Sequence, residues 1–409
     1  MSYSKYYLWK KQVSYDSGVT WQDVTPLETA PSGDPIGTYA TLEECEEIIP
    51  LSAQYLTFIA SDDITVTFTP ENSNVLYYSK NSGSTWTQGN TIAMDAGDEV
   101  MFKGNMTPNS NGIGKFSSNG SFEALGNPMS LLFGDNFSDQ TSLSGKNNAF
   151  AYLFQDCTYL QSIGNLVLPA TTLATGCYQG MFGYCSSLTT IPSGLLPATT
   201  LAHSCYHSMF FFCSSLTTVP TDLLPATTLS ICCYQFMFKS CMALASIPSG
   251  FLPATTLALG CYNQMFAYCT SLTTVPNGLL PATTLAHSCY SAMFENCTSL
   301  SSIPSGLLLA TTLADYCYHG MFGYCSSLTT APTLSATTLV ANCYRQMFYN
   351  CTNLNSITCL ATDISASDCT LGWLAFTAAS GTFTKAASMS SWGSGSNGIP
   401  DGWTVQDAS

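Results

Sequence analysis

Positive charge is scarce. The chain carries 10 Lys and Arg against 25 Asp and Glu, a formal net charge of −15, and Arg345 is its single arginine. A nucleic-acid binder needs a basic stripe to release counterions from phosphates, so that class is excluded, and an anionic membrane surface is an equally poor partner. No apolar run approaches the roughly 18–20 residues of a membrane span, so no membrane insertion is expected. The first residues, Met1 to Lys11, contain neither an apolar core nor a small-residue cleavage site, which predicts a chain that does not use the general secretory route. Catalytic sets are missing as well. No Ser or Cys nucleophile has a placed His and acid, His287-Ser288-Cys289 being adjacent in sequence only. No recurring pair of carboxylates faces a common point, as glycoside hydrolysis requires. The expectation is a protein that is not an enzyme and has no cofactor and no metal.

What the chain has in abundance is a repeat. Phenylalanines recur at Phe182, Phe210, Phe238, Phe266, Phe294, Phe322 and Phe348, a step of 28 residues five times and of 26 once. Around each runs the pattern L-P-A-T-T-L-A-x-x-C-Y-x-x-M-F-x-x-C-x-S-L-T-T-[IV]-P-x-G-L. Self-similarity at a period of this length marks a stacked array. In the unit Leu196 to Leu223, the residues Cys205, Tyr206, Met209, Phe210 and Cys213 fall at i, i+1, i+4, i+5 and i+8, which predicts a short helix of roughly two to three turns. Leu216 and Val219 belong to a β-prone run that Pro220 closes.

One unit cannot stand alone. Each buried Leu, Phe or Met returns about 1.5–3 kcal/mol, while each ordered backbone residue costs about 1–2 kcal/mol. Stacking covers both flanks, and stability becomes a sum over neighbours. The ends depart from the pattern, as caps must. Ala149 and Gly164 replace the usual Cys and Pro, and Pro332-Thr333-Leu334-Ser335 stands where a longer arch stood before.

The Met-Phe-x-x-Cys-x-Ser-Leu signature, joined by Pro-containing arches over about residues 147–360, resembles the BspA-like (Treponema-type) leucine-rich repeats. The units here are longer than the family's usual unit. The resemblance implies a leucine-rich-repeat-type solenoid of short strands and short helices with a ~28-residue period. An all-β N-terminal region is expected before it and a small β cap after it. It implies no single role, because such proteins include adhesins, surface proteins and phage proteins.

Nineteen cysteines fall mainly in two columns of the repeat, one before the Tyr and one three residues after the Phe. On helices about 8–10 Å apart, neither column reaches the roughly 4.4–6.8 Å that a disulfide wants. No C-x-x-C pair suggests zinc. The cysteines are therefore read as small buried thiols.

The expected organisation is an N-terminal hairpin and short helix at 1–50, a small β-sandwich at 51–128, the solenoid at 129–358 and a C-terminal cap at 359–409. Ser14 to Trp21 matches an Asp-box hairpin, S-x-D-x-G-x-T-W, and Ser79 to Trp86 repeats it with Asn81 in place of Asp. Asp boxes occur in sialidase propellers, but a chain with one arginine lacks the cluster that grips the substrate carboxylate, so the boxes are read as structural. Thr41 to Glu44 opens a short acidic helix. Asp135 to Asp139 has loose calcium-ligand spacing without the Gly and distal Glu of an EF-hand. Trp373, Trp392 and Trp403 are expected to close the apolar end.

Binding, if the array binds, belongs to the columns that vary between units. They hold Tyr184, Phe211, Phe212, Tyr268, Tyr324 and Tyr349, and all four histidines, His203, His207, His287 and His319. Solvated columns also vary by drift; the alternative is an aromatic strip for stacking on sugar rings or a partner. As a whole the sequence resembles proteins encoded by gut Bacteroides and their phages. That implies a virion surface or fibre protein, its N-terminal region attached to other virion proteins and its solenoid adhering to host surface glycan or protein. A homo-oligomer is expected, with a trimer common among fibres. The alternatives are a bacterial cell-surface adhesin and a polysaccharide-degrading enzyme.

Overall fold

A computed structural model describes residues 11–13, 22–24, 50–390 and 392–408. Strand β1 (Lys11–Val13) pairs antiparallel with β2 (Gln22–Val24). The Asp-box turn between them, the Thr41 helix and Cys45 lie outside the described residues.

Residues 56–125 alternate apolar and polar side chains and form strands whose apolar side is buried. These are β3 (Leu56–Ala60), β4 (Ile64–Pro70), β5 (Tyr77–Ser79), β6 (Thr87–Gln88), β7 (Thr91–Met94), β8 (Glu99–Lys103), β9 (Gly114–Ser118) and β10 (Phe122–Leu125). One sheet has the order β11-β10-β3-β8-β5-β6, where β11 is Leu160–Ser162, and the other β7-β4-β9. Phe58 packs against Phe102, Phe116 and Phe122 with ring centroids 4.6–4.9 Å apart. The second Asp-box hairpin is built as its residue types require. Asn81 accepts from the Thr85 N–H at 3.0 Å, Ser79 Oγ accepts from the Gly83 N–H at 3.0 Å, and Gly83 has φ +82°.

From residue 147 the chain is a β-rich repeat of stacked coils with very few helices. The expected helix in each unit is absent; α1 (Met129–Phe133), ahead of the repeat, is the α-helix of the described residues. The reason lies in the backbone. Gly176, Gly180 and Tyr184 have φ of +57 to +62°, and every later coil repeats the feature at the same three places, four residues apart. A left-handed residue every fourth position breaks any α-helix. Between these points alternate residues do different work. The N–H groups of Gly176, Tyr178, Gly180, Phe182 and Tyr184 donate to the next coil at 2.7–3.0 Å, while those of Cys177, Gln179, Met181, Gly183 and Cys185 donate three residues back at 3.0–3.3 Å. The backbone is thereby paired without helix or ladder.

Side chains follow a two-in, two-out rhythm. The inward pairs are Cys205-Tyr206 and Met209-Phe210, all buried. They stack in register along the coils. Phe154 through Phe348 form a ladder with centroids 5.4–5.8 Å apart and planes within 8°. Phe150, the tyrosines Tyr178 to Tyr344 and Trp373 form a second.

Cysteine three residues after each Phe has a defined job. Its thiol donates to the carbonyl of the Phe one coil back, at 3.0–3.3 Å from Cys157 to Cys351. Every described cysteine is a free thiol. The helix-based distance argument does not hold, however. Coils bonded backbone to backbone lie at sheet-like spacing, about 4.8 Å, which is within disulfide reach. The thiols of the column after the Phe are engaged by carbonyls instead, and those of the column before the Tyr are free, buried thiols.

Both sheets of the sandwich run into the first coil. Phe116 of β9 donates its N–H to Leu153 O at 2.8 Å and accepts the Cys157 thiol, so β9 stands where a preceding coil would. The Phe116 ring stacks 5.9 Å from Phe154, which starts the phenyl ladder inside the sandwich. Gly112 permits the close approach, since a Cβ there would meet Ala151 O at 2.4 Å. At the far end the three left-handed turns recur once more at Asp368, Gly372 and Phe376, beyond residue 358. Strands β12 (Ser356–Cys359), β13 (Gly381–Lys385) and β14 (Trp403–Asp407) then continue in parallel. Trp373 is fully buried and stacks 5.4 Å from Trp392, while Trp403 Nε1–H donates to Ala378 O.

Candidate functional site

The outward pairs of each coil form three columns. In the coil of residues 203–212 they are His203-Ser204, His207-Ser208 and Phe211-Phe212, the second member of each pair being left-handed. The third column is the aromatic one. Tyr184, Phe212, Tyr268, Tyr324 and Phe376 all occupy its left-handed position, with φ of +59 to +63°, and all are exposed. A bulky L-residue there costs roughly 1–2 kcal/mol, and glycine or asparagine is the ordinary choice. Asn296 and Asn350 show that this column accepts asparagine.

These rings gather into two patches. Tyr184 lies 5.2 Å from Phe211 and 5.3 Å from Phe212. Tyr324 lies 5.4 Å from Tyr349, which lies 5.3 Å from Phe376. Tyr268 stands between them under Lys239, whose Nζ is 5.4 Å from its ring and 5.2 Å from Phe236. Burial pulls the Lys239 ammonium below the usual lysine range.

The histidines are not brought to the aromatic column. His203 and His287 sit in the first column, exposed, and His207 and His319 in the second, half-buried. His207 packs edge-on to Phe236 at 5.3 Å, and His287 and His319 flank Tyr316 at 5.6 and 5.8 Å. Burial holds the His207 and His319 imidazoles below the usual histidine range. Among the described residues no group of three His, Cys, Asp or Glu could hold a metal. In the 135–146 loop Asp135 is engaged by Lys103 Nζ and the Tyr55 hydroxyl, both at 2.7 Å.

Coil by coil, small residues open a depression between the second and third columns. Ala292, Gly320 and Gly323 form its floor, at places where Phe236, Gln264 and Phe211 stand in other coils and where Gly180 and Gly183 are equally small. Its volume is about 330 Å³, and Gln264, Ser291, Glu295, His319, Gln346, Tyr324 and Tyr349 complete the lining. The Glu295 carboxyl is half-buried, and burial raises it above the usual range against the pull of Lys239.

No family model, no curated protein and no solved structure matches this chain. The surface is therefore interpreted from its own geometry. The sequence named Tyr324, Tyr349 and His319, which line the depression, and did not point to Phe376, Phe236, Tyr316, Gln264, Ser291, Glu295 or Gln346. The available signal was a four-residue spacing inside the unit, with Gly, Ser or Asn ahead of each inward pair. Among the described residues no helix is long and apolar enough to cross a membrane.

Proposed function

We propose that this chain is a virion surface or fibre protein. Its repeat is a leucine-rich-repeat-type solenoid that adheres through the third-column aromatics to host surface glycan or protein. Residues 1–128 attach it to other virion proteins, and it works as a homo-oligomer, with a trimer as the fibre-like form. The observation that carries the adhesive role is the set of exposed aromatic rings held in left-handed backbone conformation. Strain kept at solvent-facing positions, where Asn serves in neighbouring coils, is costly for a surface whose only duty is to stay wet. Tyr and Phe rings offer broad flat faces to the C–H faces of sugars and to apolar partner groups. The repeat also has few charges to compete for such contacts: between residues 158 and 350 these are Asp222, Lys239, Glu295, Asp315 and Arg345.

Two measurements test this reading. Mass spectrometry of purified virions should find the chain, and its absence there contradicts the virion assignment. The purified full chain should bind host cells, and loss of cell binding on removing capsule would name the receptor as glycan. Release of reducing sugar from capsule would instead favour a degrading enzyme.

A further inference from the structure

We propose that the depression floored by Ala292, Gly320 and Gly323 is a subsite for a single neutral pyranose unit. The inference rests on the adhesive reading above and assigns it a ligand class. Its volume of about 330 Å³ falls at the small end of ligand pockets. The rim supplies the Tyr324 ring, 38% exposed, with Tyr349 beside it at 5.4 Å. One ring therefore lies open as a platform while the other braces it.

The walls are polar and mostly uncharged. Gln264 and Gln346 carry both donors and acceptors, and Ser291 holds its hydroxyl 3.4 Å from His319 Nδ1. Groups of this kind pair with hydroxyls, which also donate and accept. Glu295 adds an acceptor of higher strength for a sugar hydroxyl. No lysine or arginine lines the depression. The nearest cations stand behind the lining and are held by other partners. Arg345 donates to Asn342 at 3.2 Å and stands 4.0 Å from Asp368, and Lys239 donates to Gln264 and covers the Phe236 and Tyr268 rings. A uronate or sialate would meet the half-buried Glu295 carboxyl with no lysine or arginine in the lining to pair with it, so acidic sugars are disfavoured.

The floor offers a blocking variant that keeps the fold. Gly320 is left-handed, but Gln264 and Gln346 hold the same place in other coils at φ +53°, and a Cβ on Gly320 would have only the Ala292 Cβ in range, at 3.8 Å. Gly320→Gln therefore fills the depression with a side chain the backbone already accepts. Tyr324→Asn is the second variant, because Asn296 and Asn350 stand in its column.

The test is saturation-transfer NMR and calorimetry on the full chain with the methyl glycosides of glucose, galactose, mannose and N-acetylglucosamine, and with glucuronate as the acidic counterpart. At least one neutral glycoside should bind saturably, and glucuronate more weakly. Gly320→Gln and Tyr324→Asn should each weaken binding by about tenfold or more while both still unfold cooperatively, Gly320→Gln at a slightly lower melting temperature and Tyr324→Asn at one equal to or above that of the unaltered chain. A change outside the outward columns, Asp222→Asn, should leave binding intact. Failure of all neutral glycosides to bind, tighter binding of glucuronate, or indifference to both blocking variants would overturn the subsite. Cell binding by the unaltered chain keeps the two claims apart. If cells are bound and no glycoside is, the subsite is wrong and adhesion stands; if glycoside is bound and cells are not, adhesion is wrong and the subsite stands.

Discussion

At the scale of single residues the repeat sets two unusual conditions. Tyrosine hydroxyls of the inward ladder are buried, and those of Tyr178, Tyr206 and Tyr290 have no protein partner. An unsatisfied buried hydroxyl costs about 1–3 kcal/mol, so Tyr206→Phe should stabilise the protein by about 1 kcal/mol in urea unfolding. A loss of stability instead would mean the hydroxyl is bonded. Burial also pushes the thiols of Cys213, Cys297 and Cys351 up to about 12, from an ordinary value of 9.0. Below pH 9 these thiols are protonated in both states, and their contribution to stability is fully present. Between pH 9 and 12 the unfolded chain releases protons that the folded chain keeps. Stability should therefore fall by about 1.4 kcal/mol per pH unit for each such thiol. Denaturation under reductant across that window checks it, and a flat profile would contradict the burial.

At the scale of elements, the repeat was legible in the sequence and its local shape was not. Apolar residues at i, i+1, i+4, i+5 and i+8 fit a helix face, but they equally fit a serrated ribbon of period four. Stacking decides between them: helices pack about 8–10 Å apart, while coils bonded through their backbones let rings sit 5.4–5.8 Å apart in ladders. The Gly at 176, 180 and 260 and the Asn at 342 marked the left-handed points, yet Tyr184 and Phe212 hid the same rule because aromatics are poor choices there. The conclusion of free buried thiols survives although its distance argument does not. Among the described cysteines the half-buried Cys232 should be labelled first by a thiol reagent in the native protein, with the ladder cysteines reacting only on unfolding. Labelling of Cys213 as fast as Cys232 would contradict the thiol-to-carbonyl ladder.

For the whole molecule, the sandwich and the repeat share one hydrophobic core running from Leu56 to Trp403. The sandwich edge serves as the first coil's neighbour, so its small β character was readable from alternation while its capping role, which depends on contacts between Phe116 and residues 153–157, was not. In between, each coil contacts its neighbours in the same way, and stability is close to additive. Deleting residues 225–252 removes one period and joins Leu224 to Pro253 in register. That variant should fold with a smaller urea m-value, whereas deletion of half that length should not fold. Equal behaviour of the two would mean the register does not matter.

The central claim is that the exposed aromatic rings are kept for contact and at a cost to the fold. The most direct measurement is the paired binding and thermal unfolding of a variant with Tyr184, Phe212, Tyr268 and Tyr324 each changed to Asn. The account predicts a melting temperature equal to or above that of the unaltered protein, with backbone strain of about 1 kcal/mol relieved at each site, and loss of host-cell binding. A sharp fall in melting temperature with cell binding retained would contradict it.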